Sequence, residues 1–254
     1  MLSGRIAVRE TGAAVPALDC GRVNVWLAQL DHPREHAGRL ARLLDSRERD
    51  KAARFRFDED RDRFVAATGV LRTVLGSCLA EDPRRIAFRR GRFGKPALRE
   101  EFGGGRVRFN LSHSGGAALV AVALDREVGV DVEFVRPLES LEELAATAFS
   151  PAERDALRRL PDEERRRAFF DCWTRKEAFV KAVGEGMSCP PDAFDVSVAP
   201  GAGPRAIAVR RELPDSRGWS LRSMDVHPAY AAAVVAEGAD WELDLRRWSA
   251  DGLC

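Results

Sequence analysis

The stretch Gly129-Val130-Asp131-Val132-Glu133-Phe134 alternates apolar and acidic residues, which is the pattern of a β-strand with one buried face. Because successive side chains of a strand point to opposite faces, Asp131 and Glu133 project together, and the apolar residues through Phe134 are expected to face the core. Two neighbouring carboxylates raise each other's pKa unless a cation joins them. The pattern therefore predicts either a pair of acids that binds a hard cation such as Mg²⁺ or the solvated outer face of a strand.

Apolar patterns on both sides of this strand predict a mixed fold. Residues 117–124 form an uninterrupted apolar stretch, and only Asp125-Arg126-Glu127 separates it from the acidic strand, a length that fits a hairpin. Similar patterns predict strands at 23–30, 86–89, 106–110, 193–198, 206–211, 219–225 and 231–236. Helices are predicted at 33–44, 46–54, 64–79, 150–160 and 163–183.

The order of these elements repeats after about 110 residues. Residues 71–76 (LRTVLG) line up with residues 179–184 (FVKAVG), which places Gly69 and Thr73 at the positions of Glu177 and Lys181. Unless the similarity arises by chance, the repeat predicts an α+β fold with two pseudo-symmetric halves. Each half would pack its helices on a small, mostly antiparallel sheet.

The two halves, expected at residues 1–125 and 126–254, differ in their polar residues. Ser112-His113-Ser114 in the first half lines up with Val226-His227-Pro228 in the second, so these polar groups have no full counterparts. Unlike halves supply different groups to a ligand that lies between them. We therefore expect the active site in the cleft between the halves.

Composition and charge exclude several classes of protein. The formal net charge is +1, so the chain lacks the excess of positive charge that is typical of a nucleic-acid-binding protein. The longest apolar stretch, 115–124, is about half the length that a membrane helix needs, and the N-terminus lacks a signal-peptide pattern. The odd number of cysteines, 5, and the lack of CxxC spacing argue against disulfides or zinc. We expect a cytoplasmic protein with no nucleic-acid or membrane partner.

Lysine is rare in this chain, because arginine occupies almost every basic position. The only lysines are Lys51, Lys95, Lys176 and Lys181. Lysine is a compact charge that can give up its proton, which arginine does not do. Lys181 follows Glu177 by four residues, so on a helix the two share a face. The pair predicts either proton transfer or an ordinary exposed ion pair.

Three further segments suit phosphate groups. Phe109–Gly116 places Ser112 and His113 beside two glycines, where hydroxyl, imidazole and exposed N–H groups can contact phosphate oxygens. A purely structural turn is the alternative. The glycine-flanked turn at 90–96 and the helix at 47–54 are both basic, so each predicts either a phosphate site or a solvated surface.

Together these segments resemble the phosphopantetheinyl transferases of the surfactin-synthetase-activating (Sfp-like) group. That family has G-[IV]-D-[VIL]-E followed about 40 residues later by W-[ST]-x-K-E-[AS]-x-x-K, with G-K-P and F-N-[LIV]-S-H-S upstream. All four elements occur here in order, at 94–96, 109–114, 129–133 and 173–181. The resemblance covers roughly 46–235.

The resemblance implies a monomeric enzyme with two pseudo-symmetric halves. It implies Mg²⁺-dependent transfer of the 4′-phosphopantetheine arm of coenzyme A to a serine of an apo acyl or peptidyl carrier protein, with release of 3′,5′-ADP. The resemblance points to activation of carriers in polyketide or nonribosomal peptide synthesis, and the sequence leaves open which of fatty acid, polyketide or peptide synthesis the physiological carrier serves. Residues 1–125 would hold the nucleotide side of coenzyme A, and residues 126–254 would carry the metal and the catalytic helix.

The resemblance also implies roles for individual residues. The implied metal ligands are Asp131, Glu133 and Glu177. The implied catalytic residues are Glu177 as general base, Lys181 and His113. The implied coenzyme A contacts are Lys51, Arg90, Lys95, Ser112, His113 and Lys181.

The chain departs from this pattern at Glu48, where some relatives carry a lysine. Arg47, Arg49 or Arg54 would then supply charge to the 3′-phosphate. Residues 165–167, three arginines, are candidates for contact with an acidic carrier, although a solvated helix face also explains them. Three other functions stay open: a coenzyme A-binding module without catalysis, another Mg²⁺-dependent phosphotransferase or hydrolase, and a scaffold.

Overall fold

Two β-sheets pack face to face in a computed structural model that describes residues 8–10, 17–32, 34–91, 93–103, 105–186, 189–190, 193–199, 205–206, 208–209 and 218–250. The first sheet contains, in spatial order, β1 (Arg9–Glu10), β13 (Glu242–Arg247), β2 (Arg22–Gln29), β6 (Ala117–Leu124) and β5 (Val107–Ser114). The second contains β7 (Val128–Phe134), β12 (Tyr230–Glu237), β11 (Trp219–Ser223) and β9 (Arg205–Ala206). Two small sheets pair β3 (Phe88–Arg90) with β4 (Pro96–Leu98), and β8 (Phe194–Asp195) with β10 (Ala208–Val209).

The helices cover the outer faces of the two large sheets. They are α1 (Arg34–Ala41), α2 (Ser46–Ala52), α3 (Asp58–Leu79), α4 (Leu141–Ala148), α5 (Pro151–Arg158) and α6 (Asp162–Val183). Val25 and Val130 lie in the apolar layer between the sheets. Val70 of α3 packs with the first sheet, and Phe179 of α6 packs with the second. These layers confirm the predicted α+β class.

The long helices reveal the spacing of the internal repeat. Both have 22 residues; α3 begins at 58 and ends at 79, and α6 begins at 162 and ends at 183, a constant offset of 104. At this offset Thr73 and Ser77, not Gly69 and Thr73, stand at the positions of Glu177 and Lys181. The sequence alignment was wrong by one helical turn, because a slip of one turn leaves the apolar face almost unchanged.

The predicted hairpin between residues 117–124 and 128–134 is wrong. The edges of β6 are already paired with β2 and β5, so β7 pairs instead with β12 of the second sheet. The link between β6 and β7 carries the chain from one sheet to the other. Its buried Arg126 donates hydrogen bonds to the carbonyls of Cys20 (Nε, 3.1 Å) and Glu237 (Nη1, 2.6 Å), which ties both sheets to the crossing.

The C-terminal part of the chain returns to the first sheet. β13 lies parallel to β2, with Leu245 opposite Val25. No strand was predicted here, because its alternation resembles that of any half-buried strand and parallel pairing requires a distant partner. The division into halves at residues 1–125 and 126–254 stays a prediction. β13 comes from residues 126–254 but pairs with β2 of the first sheet.

Several predicted elements extend differently from their patterns. The predicted strand at 106–110 continues to Ser114, so Ser112 and His113 lie within β5 rather than in a turn at its end. The predicted strand at 193–198 is shorter than expected, because β8 covers only Phe194–Asp195. The predicted strand at 206–211 lies partly outside the described residues. Of the helices that the structure describes, none has the length and apolar character required to cross a bilayer.

Candidate active site

The two edge strands β5 and β7 meet where the first sheet borders the second. Three side-chain oxygens of β5 accept hydrogen bonds from three main-chain N–H groups of β7, at every second residue of both strands. These bonds join Asn110 Oδ1 to Val130 N (2.9 Å), Ser112 Oγ to Val132 N (3.4 Å) and Ser114 Oγ to Phe134 N (3.2 Å). We call these three residues of β5 with their three partners of β7 the seam.

The seam hydroxyls also bind the two acids of β7. Ser112 Oγ donates to Asp131 Oδ1 at 2.7 Å, and Ser114 Oγ donates to Glu133 Oε2 at 2.7 Å. Asp131 is only 2% exposed, which rules out a solvated strand face at this position. Phe134 was expected in the core but is 40% exposed, because it lies at the end of β7. The centre of its ring lies 5.4 Å from the centre of the Tyr230 ring.

Helix α6 lies against β7 at Gly129 and brings its polar residues to the acids. A Cβ on Gly129 would lie 2.1 Å from the Ala178 carbonyl oxygen and 2.3 Å from the Ala182 nitrogen, so only glycine permits this approach. Lys181, one turn after Glu177 on α6, places its Nζ 2.6 Å from Asp131 Oδ1. The predicted shared face of Glu177 and Lys181 therefore points at the acidic strand.

Burial raises the pKa of all three acids. It is the largest cause at Asp131, where Lys181 opposes it. It is also the largest cause at Glu133 and Glu177, where the negative charge of Asp131 adds to it. The cluster thus holds its negative charge at a cost in free energy, which a bound cation would relieve.

The donor set fits a hard divalent cation. Asp131 Oδ2 is buried without a hydrogen-bond partner, and carboxylate oxygens are the ligands that Mg²⁺ prefers. However, within the described parts of the chain, no three His, Cys, Asp or Glu side chains are grouped so as to hold a metal. Asp131, Glu133 and Glu177 would therefore have to move closer together to hold one ion jointly. Their assignment as metal ligands stays a prediction.

His113 lies on the opposite face of β5 from the seam serines and is exposed. Although part of its side chain is open to solvent, the neighbouring protein removes some of the surrounding water and lowers its pKa, and the positive charges of Lys181 and Lys51 lower it further. Lys51 Nζ lies 4.7 Å from the centre of the Phe64 ring. The edge of β5 thus separates two polar regions, one around the acids and one around His113 and Lys51.

A cleft of about 550 Å³ runs along α6 beside these acids. Its lining includes Trp173, Glu177 and Lys181 of α6 and residues 93–96. This volume lies within the range of about 300–1,000 Å³ that is usual for small-molecule sites. Of the predicted site residues, Lys95, Glu177 and Lys181 line this cleft.

Lys95 is hydrogen-bonded within the protein, whereas Arg90 is exposed. Lys95 Nζ donates to Glu127 Oε2 (2.9 Å), to the Val128 carbonyl (3.2 Å) and to the Ala182 carbonyl (2.8 Å). Burial lowers the pKa of Lys95 despite the Glu127 charge. Arg90 is exposed, with Nη1 3.2 Å from the Gly94 carbonyl. Both remain predicted coenzyme A contacts, and Lys95 already has three partners within the protein.

Sequence reasoning missed Asn110 and Ser114, which lie on the same face of β5 as Ser112. The signal was present as a polar residue at every second position in 110–114, the period of a strand.

The arginines at 165–167 differ from one another. Arg165 donates to the Leu160 carbonyl and Arg167 to Asp171, so the role in carrier binding stays a prediction mainly for the exposed Arg166.

Comparison with known proteins identifies the family. Residues 127–235 match the family described as the 4′-phosphopantetheinyl transferase superfamily, and residues 32–125 match the N-terminal region of 4′-phosphopantetheinyl transferase. The chain is 37% identical over 220 residues to the 4′-phosphopantetheinyl transferase HetI of Nostoc sp., covering 87% of this chain and 90% of the relative. It is 30% identical over 235 residues to the 4′-phosphopantetheinyl transferase Sfp of Bacillus subtilis, covering 91% and 100%.

The chain therefore belongs to the 4′-phosphopantetheinyl transferase superfamily, which confirms the predicted family and enzyme class. Among solved structures, a holo-[acyl-carrier-protein] synthase of Thermotoga maritima shares 22% identity with a TM-score of 0.36, over 44% of this chain and 62% of that chain. That likeness is too distant to assign any residue.

Proposed function

We propose that this enzyme transfers the 4′-phosphopantetheine arm of coenzyme A to a serine hydroxyl of an apo acyl or peptidyl carrier protein, in an Mg²⁺-dependent reaction that releases 3′,5′-ADP. The observation that carries the proposal is the meeting of Glu177 and Lys181 with the buried Asp131, beside a cleft of about 550 Å³, in a chain of this family.

Asp131, Glu133 and Glu177 would hold the metal ion. When bound, Mg²⁺ supplies positive charge that neutralises the coenzyme A diphosphate as its bridging P–O bond breaks. The unpartnered Oδ2 of Asp131 supports this role, since a buried carboxylate oxygen without a donor is costly.

Glu177 would accept the proton of the carrier's serine. Its side chain lines the cleft together with Lys181, where the serine hydroxyl would have to enter. The serine oxygen then forms a bond to the β-phosphorus of coenzyme A, and the bond from that phosphorus to the oxygen of 3′,5′-ADP breaks. Lys181 would donate a hydrogen bond or its proton to the departing phosphate.

The remaining polar residues would orient coenzyme A. His113 and Lys51 would contact phosphate groups on the α2 side of β5, and Ser112 would do so at the seam. Arg90 and Lys95 would border the nucleotide. Glu48 does not replace the lysine of some relatives in this role, because it accepts hydrogen bonds from the Asp45 N–H (2.9 Å) and Arg72 Nε (2.7 Å).

We also propose that the enzyme acts as a monomer in the cytoplasm on carriers of polyketide or nonribosomal peptide synthesis. The relatives HetI and Sfp support the transferase activity, and the apolar layer between the two halves supports assembly of the site within one chain.

Intact-protein mass spectrometry of apo carrier proteins tests the proposal. Carriers from fatty acid, polyketide and peptide synthesis are incubated with the enzyme, coenzyme A and Mg²⁺, with and without EDTA. A mass gain of one phosphopantetheine arm that EDTA abolishes is the expected result. Coenzyme A binding without any mass gain would instead indicate a non-catalytic module, and a gain that persists in EDTA would contradict the metal dependence.

A further inference from the structure

The seam joins two strands that belong to different sheets. Among the strands that the structure describes, β5 is paired only with β6, and β7 only with β12, so each is the edge of its sheet. An edge strand presents main-chain N–H groups that have no ladder partner. Leaving one such group buried and unsatisfied costs about 1–3 kcal/mol.

The side chains of β5 take the place of the missing ladder. Acceptor and donor are 20 residues apart in all three bonds, beginning with Asn110 and Val130. Side chains on one face of a strand recur every second residue, and so do the N–H groups that point to one edge of a strand. Every second side chain of β5 can therefore accept from every second N–H group of β7. The seam thus fixes the register of the two halves at the acids.

This arrangement dictates where the serine hydroxyls point. A hydroxyl that accepts a main-chain N–H still has one hydrogen to donate. For Ser114 that hydrogen goes to Glu133 Oε2 at 2.7 Å, while Oγ accepts from the Phe134 N–H at 3.2 Å. One main-chain bond therefore orients the hydroxyl that holds the carboxylate.

Ser114 differs from Ser112 in its distance from the proposed proton-transfer groups. Ser112 Oγ also lies 3.0 Å from Lys181 Nζ, so a change there would disturb the catalytic lysine directly. The hydrogen bonds of Ser114 Oγ join it to Glu133 and the Phe134 N–H. Glu133 is half-buried, and without Ser114 its carboxylate could turn toward solvent.

We propose that Ser114 is a positioning residue that fixes Glu133 for the binding of the divalent cation and couples that carboxylate to the contact between the two halves. The inference rests on the proposed function, because it takes Glu133 as a metal ligand. Removal of a residue that hydrogen-bonds to a metal ligand typically reduces metal affinity or activity by about 10-fold to 100-fold.

The test measures metal binding directly. Isothermal titration calorimetry follows Mg²⁺ binding to the coenzyme A complex of the wild type, Ser114→Ala, Ser114→Thr and Ser77→Ala. Ser77 is exposed on α3 and serves as the matched control. We expect Ser114→Ala to weaken Mg²⁺ binding by about 10-fold to 100-fold, Ser114→Thr to retain it because the hydroxyl remains, and Ser77→Ala to leave it unchanged.

Hydrogen exchange separates positioning from a general loss of structure. The Phe134 amide should exchange faster in Ser114→Ala, while amides in α3 should keep their wild-type rates. If Ser114→Ala does not fold, Ser114→Cys keeps the shape with a weaker donor, and Mg²⁺ binding between that of the wild type and zero is expected.

Equal Mg²⁺ affinity in the wild type and Ser114→Ala would overturn the inference, as would equal losses in Ser114→Ala and Ser114→Thr. A wild-type enzyme that modifies carriers while Ser114→Ala binds Mg²⁺ normally would refute this inference alone. A wild type that neither binds Mg²⁺ nor modifies any carrier would refute the proposed function together with it.

Discussion

Lys176 Nζ lies 2.9 Å from Glu153 Oε2, with both side chains buried. The first half contains the same arrangement, in which Arg72 Nε lies 2.7 Å from Glu48 Oε2. Both glutamates close the capping box of a short helix, and both cations belong to the long helix that follows. The pair therefore braces two helices in each half. It also explains one of the rare lysines and the departure at Glu48 without any contact to a substrate.

Removing the lysine of this brace should reduce stability more than catalysis. We expect Lys176→Ala to lower the free energy of unfolding by about 3–5 kcal/mol, because it leaves the Glu153 charge buried without its cation. Urea denaturation measures this change. Glu35→Ala, which breaks the exposed pair with Arg39, is the control and should stay within about 0.5 kcal/mol of wild type. An unchanged stability in Lys176→Ala would show that the brace contributes little.

Adding one methyl group at Gly129 should separate the catalytic helix from the acidic strand. Its Cβ would clash with main-chain atoms of Ala178 and Ala182, which cannot move without moving α6. We expect Gly129→Ala to cost at least about 1–3 kcal/mol and to reduce transfer. Gly38→Ala is the matched control, since nothing lies within 4 Å of its added Cβ. Thermal unfolding of both variants checks the prediction, and equal melting temperatures would contradict the close approach.

The lowered pKa of His113 should appear in the pH dependence of stability. A histidine whose folded-state pKa is below 6.5 is protonated more readily in the unfolded chain. Stability should therefore fall as the pH drops from 6.5 toward the folded-state pKa, and that contribution should vanish well above pH 6.5. Denaturation of His113→Gln at several pH values should show a smaller loss, whereas His227→Gln serves as the control. Parallel curves for wild type and His113→Gln would contradict the prediction.

Ligand removal should expose the link between the acids and the metal. A ligand at 100 times its Kd adds about 2.7 kcal/mol to a protein that binds it only when folded. Each kcal/mol moves the Tm of a chain of this size by about 2–4 °C. We expect coenzyme A with Mg²⁺ to raise Tm, and EDTA to reverse part of the rise. In Asp131→Asn, EDTA should have no effect on the Tm of the coenzyme A complex, and an effect equal to wild type would count against Asp131.

Local patterns in the sequence were sufficient for much of the site. The alternation in 129–133 correctly predicted a strand with Asp131 and Glu133 on one face, and the four-residue spacing predicted that Glu177 and Lys181 share a helix face. Both depend on the geometry of a single element. The cleft between halves followed from the internal repeat, which compares the chain only with itself.

The errors concern relations between distant elements. The short link at 125–127 was taken for a hairpin because its length does not reveal that β2 and β5 already flank β6. The seam depends on two edge strands from different sheets, which no local pattern specifies. Because lysine is rare in the chain, the sequence drew equal attention to Lys176 and Lys181. In the structure Lys176 is paired with Glu153, and Lys181 is paired with Asp131.

Single-turnover transfer with Glu177→Gln tests the central claim most directly. The rate of phosphopantetheine transfer to a carrier is followed by rapid quench and mass spectrometry, at saturating coenzyme A and Mg²⁺. Glu163→Gln, an exposed position on the same helix, is the matched control. We predict a loss of about 10²–10⁴-fold for Glu177→Gln with coenzyme A binding retained, and a wild-type rate for Glu163→Gln. A wild-type transfer rate in Glu177→Gln would contradict its role as the general base.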